Sequence, residues 1–275
     1  MLGALIIVFR EVIEAGLIIG IVLAATRGVP GRGQWITFGI AGGVLGACVV
    51  AGFAGGISEA FAGSGQELLN AAVLGTAVVM LMWHNAWMAR HGREMAAELS
   101  KVGTEVMEGK RPLTALALVV GLAVLREGSE IVLFLYGIIA GGSSGSDLLV
   151  GGLLGLATGA VFTWLTYLGL LAIPSRHIFL VTTVLITLLA AGMAAQAVKF
   201  LDQAGFVTVL GQTLWDTSEW MPESSILGKL LHALIGYSEQ PTAMQALVYL
   251  AVLVAMASLM KMVAPVRPLP VRSIP

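Results

Sequence analysis

Seven stretches of this chain are apolar over about 18 residues or more, at roughly 3–26, 35–58, 67–89, 113–140, 147–173, 177–201 and 243–264. Nothing else in the sequence restricts the fold as much. Lipid offers no water to backbone N–H and C=O groups, and apolar runs of this length read as spanning helices. They predict an all-α, polytopic membrane protein with seven transmembrane helices. Composition agrees, with 57% of the 275 residues hydrophobic and 11% charged. A soluble domain is about a quarter charged. The 35 glycines suit close helix packing in lipid. No basic region precedes the first run, so it reads as an uncleaved anchor. A net charge of −1 leaves no basic footprint for nucleic acid. The single cysteine, Cys48, permits neither an internal disulfide nor a thiolate metal cage, and reads as a small core residue.

Lysine and arginine set the orientation. With the N-terminus outside, the inner segments hold Arg27 and Arg32; Arg90, Arg93, Lys101, Lys110 and Arg111; Arg176; and Lys261, Arg267 and Arg272. The outer segments hold only Lys199 and Lys229. The positive-inside rule therefore gives N-out/C-in. Two segments are too polar for lipid. Residues 90–112 read as a cytoplasmic amphipathic linker, and 202–242 as a partly folded outer loop. The tail, "APVRPLPVRSIP", reads as disordered.

Charge also appears where it is most costly. "ALIIVFREVIEAGLIIG" (4–20) carries Arg10, Glu11 and Glu14, and "LAVLREGSEIVLFLYG" (122–137) carries Arg126, Glu127 and Glu130. Each intramembrane charge costs about 2.5–3.5 kcal/mol on the insertion scale. Residues three and four apart share a helix face, so each R-E-x-x-E gathers its charges on one side. A glycine-rich helix follows each copy, "GIAGGVLGACVVAGFAGG" and "GGLLGLATGAVF". Residues of about 1–90 and 113–201 thus read as two copies of a three-helix unit. An odd number of spans per unit inverts the second copy, with a seventh helix at 243–264 completing one transmembrane domain over 1–275. Inverted repeats place substrate sites near the midplane between the halves.

Two salt-bridge clusters acting as structural glue would leave the excess of glutamate over arginine without purpose. Two Arg and four Glu sum to −2 when all are ionised, a deficit that a divalent cation or two protons would fill. An all-carboxylate set suits the hard or borderline cations Mg, Ca, Mn and Fe. Arg10 and Arg126 then act as site-supporting counter-ions. Further acids lie on the outer side: Glu67 at the start of helix three, and Asp216, Glu219 and Glu223 in the loop. They are candidates for cation collection, against the simpler reading of a solvated face or a first-turn acid.

The two charged stretches resemble the paired R-E-G-L-E-type motifs of the high-affinity iron permease family, the oxidase-dependent iron transporters of fungal ferric and bacterial ferrous type. The likeness extends to "MLMWHNAWMARH" (80–91) and "WDTSEWMPESSILGKLLHALIGYSEQPTAMQALVYL" (215–250). Val12-Ile13 and Ser129 depart from the usual spacers but leave the carboxylate spacing intact. The resemblance implies a permease, not an enzyme, moving iron into the cytoplasm. It implies that Glu11, Glu14, Glu127 and Glu130 take part in translocation, with iron as substrate and no permanently bound cofactor. Any oxidase or iron-binding partner outside the membrane is then a separate protein. The setting expected is the bacterial inner or plasma membrane.

His84 and His91 sit near the inner end of the third apolar run and read as interfacial. His177 and His232 show no ligand spacing, and the twelve methionines read as packing. Three rival functions stand beside the permease. "GSG" at 63–65 suggests an intramembrane serine enzyme, but no H-E-x-x-H accompanies it and it falls in a short turn. A proton-coupled transporter of another divalent cation such as Mn or Mg, and a non-transporting metal sensor, use the same carboxylates.

Overall fold

The computed structural model describes residues 1–60, 65–169 and 175–263. Ser64, the end of the fifth apolar run from 170 onward and the tail beyond 263 lie outside the described residues. The helices are α1 (Leu2–Ala25), α2 (Arg32–Ala60), α3 (Gln66–Met107), α4 (Thr114–Ala140), α5 (Gly145–Tyr167), α6 (Ser175–Gln203), α7 (Ile226–Ile235) and α8 (Ala243–Val263). Among the described residues the only β-type pairing is an isolated bridge between Thr213 and Thr242.

Among the described residues, five segments are long and apolar enough to cross a membrane: Arg32–Ala54, Gln66–Gly92, Gly145–Tyr167, Leu180–Gln203 and Ala243–Met262. Helices α1 and α4 stand apart because each carries three charges in its middle. At 1.5 Å per residue, their 24 and 27 residues extend about 36 and 40 Å, ample for a hydrocarbon core of about 30 Å.

Glycine sets which helices touch. A Cβ at Gly155 of α5 would lie 2.6 Å from the carbonyl oxygen of Leu5, and one at Gly159 2.9 Å from Val12 Cβ. On α2, a Cβ at Gly39 would lie 2.6 Å from the Ala117 carbonyl oxygen, and one at Gly43 2.7 Å from that of Gly121. Backbones approach this closely only where small residues recur every fourth position. Both contacts advance in step along the two chains, so α1 runs parallel to α5 and α2 runs parallel to α4. The turn at 26–31, with Gly28 and Gly31 at φ +91° and +78°, reverses α1 into α2. Helices α1 and α4, the two carriers of R-E-x-x-E, therefore run antiparallel and touch each other.

Two apolar layers enclose the charged level of these helices. One contains Ile7, Leu74, Leu81, Phe134 and Ile186, all fully buried. The other contains Val22, Ile36, Val106, Leu116 and Val120. Arg10 to Glu14 of α1 and Arg126 to Glu130 of α4 fall between them in chain position.

One expectation needs correction and another gains detail. Residues 90–107 are helical and continue α3 without a break. No proline falls between Gln66 and Pro112, and the helix stops where Gly109 takes φ +74°. The extension is held by packing, with a Cβ at Gly103 placed 2.5 Å from Ala25 Cβ and with Val106 buried in the second layer. Cys48 is not a core residue; it is exposed on α2, on a surface with Leu45, Val49 and Phe53. In a lipid-facing helix both the packed and the outer face are apolar, so hydropathy does not mark which side is inside.

Candidate metal centre

The two motifs build matching halves. On α1, Arg10 Nε lies 2.8 Å from Glu14 Oε1 and Arg10 Nη1 lies 3.6 Å from Glu11 Oε1. On α4, Arg126 Nε lies 3.2 Å from Glu130 Oε1 and 3.9 Å from Glu127 Oε1. One helical turn separates each i,i+4 pair, which is why the spacing R-x-x-x-E closes within its own helix. Arg10, Glu11, Glu14, Glu127 and Glu130 are all buried. Charges at this depth persist only when paired or when they hold a cation.

Helix α3 supplies the piece the sequence reading misplaced. His84 is only 3% exposed and stands between the motifs. Its Nε2 lies 3.3 Å from Glu14 Oε2 of α1, and its Nδ1 pairs with Glu130 Oε2 of α4. The third apolar run was expected to end at 89, which put His84 at a membrane interface. The packing of α3 against α1 and α4 instead places His84 between two carboxylates. The available signal was polar His84-Asn85 within an apolar run that resembles the family's. His91 is half-buried, its Nδ1 3.2 Å from the Trp87 carbonyl oxygen.

One ligand atom each from Glu11, His84, Glu127 and Glu130 lies within 4.8 Å of the others. Two ligands on opposite sides of an ion with bonds of about 2.1 Å are about 4.2 Å apart, so small adjustments would let these atoms share one cation. The carboxylate oxygens of Glu11 and Glu127 are buried and accept no hydrogen bond among the described residues. Glu14 is engaged differently, between Arg10 and His84.

The site is closed on the α1 side and open on the α4 side. Arg126 is one-third exposed, against 3% for Arg10. Its Cζ lies 4.3 Å from the centroid of the Trp87 ring. A cavity of about 470 Å³ adjoins it, lined by Val79, Met80, Trp83, His84, Trp87, Arg126 and Glu130. A larger cavity of about 660 Å³ lies toward the N-terminal end of α1, reaching Met1, Leu74, Gly137, Met193, Asp147, Glu223 and His232.

The outer acids do not join the buried cluster. Glu67 is exposed in the first turn of α3. Asp216 accepts bonds from Ser218 Oγ (2.6 Å), Ser218 N (3.0 Å) and Gln240 Nε2 (2.8 Å). The Ser218 hydroxyl above all holds its carboxyl below the usual Asp range. Glu219 is exposed. Glu223 and Glu239 exchange bonds, each carboxylate accepting from the other's backbone N–H at 3.2 and 2.8 Å. At least two of these acids shape the loop.

Membrane-length helices around a buried carboxylate and imidazole cluster define a multi-pass membrane protein with side chains that could hold a cation. The model of the iron permease FTR1 family matches residues 1–267, and the chain belongs to that family, a family of membrane permeases rather than enzymes. It is similar to the ferrous iron permease EfeU of Escherichia coli O157:H7, with 31% identity over 253 residues, 90% of this chain and 91% of that protein. The same protein of Shigella sonnei (strain Ss046) gives the same figures. That of Shigella flexneri is 32% identical over 190 residues, 69% of this chain and 80% of its own. No solved structure matches the chain with significance.

Proposed function

We propose that this chain carries iron across the cell membrane into the cytoplasm, with the ion passing through the buried layer formed by Glu11, Glu14, Glu127 and Glu130. Arg10 and Arg126 hold these carboxylates in place and temper their negative field, so that the ion leaves as well as enters. The observation that carries the reading is the convergence of ligand atoms from both R-E-x-x-E helices within 4.8 Å. Iron is substrate here rather than a resident cofactor.

The five apolar spans together with α1 and α4 give seven crossings. The pairing of α1 with α5 and of α2 with α4 is what two inverted copies of a three-helix unit produce, since exchanging 1-2-3 for 4-5-6 maps one pair onto the other. This supports an inverted 3+3 repeat with α8 added, N-out/C-in, in a single transmembrane domain. The wide cavity bordered by Asp147, Glu223 and His232 then faces outward. Glu67, Asp216, Glu219 and Glu223 collect cations on that side or receive them from a separate oxidase or iron-binding protein.

The test is iron uptake by the purified protein in liposomes, with and without reductant. Glu→Gln at position 11, 127 or 130 should cut flux by about 100-fold or more while the protein still inserts, since intramembrane carboxylates mark an ion pathway. Near-normal flux in all the Gln variants would mean that the clusters are structural glue. Preferential uptake of Mn or Mg by the unaltered protein would make it a transporter of another divalent cation.

A further inference from the structure

We infer that His84 is a nitrogen ligand of the translocated ion, that Glu14 orients it rather than binding the ion, and that this nitrogen sets the preference for iron over harder divalent cations. The inference rests on the carboxylate pathway proposed above. It changes the donor set from four carboxylates to three carboxylates and one imidazole, drawn from three helices instead of two.

Each ring nitrogen of His84 faces a carboxylate. His84 Nε2 lies 3.3 Å from Glu14 Oε2, and Nδ1 points to Glu130. Glu130 belongs to the converging ligand group, with Glu11, Glu127 and His84 itself. Glu14 does not belong to it, and its other oxygen is taken by Arg10 at 2.8 Å. The chain Arg10–Glu14–His84 therefore reaches the cluster from one side. Metal-bound histidine almost always donates its second N–H to a carboxylate or carbonyl, which fixes the tautomer and the plane of the ring. With the proton on Nε2 and shared with Glu14, the lone pair of Nδ1 faces the same space as the oxygens of Glu11, Glu127 and Glu130. His84 is only 3% exposed, so little solvent competes for that nitrogen.

The chemical consequence is selectivity. Sites made only of carboxylates suit Mg, Ca and Mn, whereas imidazole suits Fe, Ni, Cu and Zn. Divalent affinities at a given site also rise from Mn to Fe. One imidazole among hard oxygens thus favours Fe2+ over Mn2+ and disfavours the abundant Mg2+ and Ca2+. The absence of thiolate donors keeps the site from becoming a soft-metal trap.

The test uses the full-length protein loaded with Fe2+ under reductant. Iron-edge X-ray absorption of the unaltered protein should show the outer-shell scattering of one imidazole, and His84→Gln should lose it. In liposomes, the ratio of half-inhibitory Mn2+ to half-saturating Fe2+ should fall about 10-fold or more in His84→Gln, matching the usual cost of a lost ligand-shell interaction. Glu14→Gln should keep the imidazole signal and the selectivity while raising half-saturating Fe2+ by about 10–100-fold. An oxygen-only shell in the unaltered protein overturns the inference, and needs no variant to fold. So does unchanged Mn2+ discrimination in His84→Gln. If either occurs while Glu11→Gln and Glu127→Gln abolish flux, the carboxylate pathway stands and only the His84 assignment falls. Normal flux in all the Gln variants removes the pathway and this inference together.

Discussion

Arg126 lies over the ring of Trp87, its Cζ 4.3 Å from the ring centroid, while its counterpart Arg10 has no such aromatic contact among the described residues and is buried beside Glu11 and Glu14. The two motifs are thus alike in sequence and unlike in setting. One guanidinium is locked, and the other rests at the edge of a cavity that also reaches His84 and Glu130. Trp87 in turn stacks on His91, with ring centroids 5.1 Å apart. Replacing Trp87 by Leu should release Arg126 from its parked position. A partly exposed cation–π contact is worth about 1 kcal/mol, so thermal unfolding in detergent should show a loss of about that size. Trp87→Phe should recover part of it, and an unchanged unfolding temperature in Trp87→Leu would deny the ring any hold on Arg126.

Arg10 offers a contrast in folding. Arg10→Ala leaves Glu11 and Glu14 buried with one partner removed, a change that costs about 3–5 kcal/mol for a buried pair. Arg10→Lys should rescue only part of this, because a point charge cannot serve two carboxylates as a planar fork does. Yield of monodisperse protein and its unfolding temperature report both. Equal behaviour of Ala and Lys would show that charge at this position is not what holds the two carboxylates.

Two neighbouring glycines separate packing from composition. A Cβ at Gly43 would meet the Gly121 carbonyl oxygen at 2.7 Å, whereas a Cβ at Gly42 meets nothing within 4 Å. Gly43→Ala should force α2 and α4 apart and cost about 1–3 kcal/mol. Gly42→Ala should be neutral or slightly stabilising, since alanine favours the helix by about 1 kcal/mol. Similar unfolding temperatures for the two variants would refute the parallel α2–α4 contact.

The outer loop should show both salt and acid dependence. Neutralising Asp216, Glu219 and Glu223 together should raise the half-saturating iron concentration and leave maximal flux nearly unchanged, and high salt should mimic it by screening. Because Glu223 also ties the loop to Glu239, a fall in maximal flux confined to Glu223→Gln would identify a folding role instead. The carboxyl of Asp216 is held below its ordinary value of 3.8 by Ser218 and Gln240. A depressed folded value means that its contribution is present above the unfolded value and lost as pH falls through the folded one. Trp215 fluorescence should therefore change only in strong acid, below about pH 3.8, and Asp216→Asn should remove that transition.

Topology needs its own measurement. Single cysteines at positions 30 and 240, in a background with Cys48 replaced, should react from the inner and outer faces respectively. Reaction of both from one face would refute N-out/C-in with seven crossings.

Much of this protein could be read along one dimension. Apolar run length fixed the helical class, because lipid denies hydrogen-bond partners to any other open structure. The spacing of Arg10 to Glu14 and of Arg126 to Glu130 fixed which charges pair, because an i,i+4 contact is closed within one helix. Such features depend only on neighbours in sequence. What the sequence left open depended on contacts between distant segments. That α3 runs unbroken to Met107 was decided by packing of Gly103 and Val106 against α1 and the second apolar layer. That Cys48 faces outward was decided by which side of α2 meets α4, a choice hydropathy cannot register when lipid is as apolar as the core. His84 is 70 residues from Glu14, and no local spacing joins them. Only the three-dimensional crossing of α1, α3 and α4 brought an imidazole between the two carboxylate pairs. The sequence thus named the acids, and the tertiary structure supplied the nitrogen.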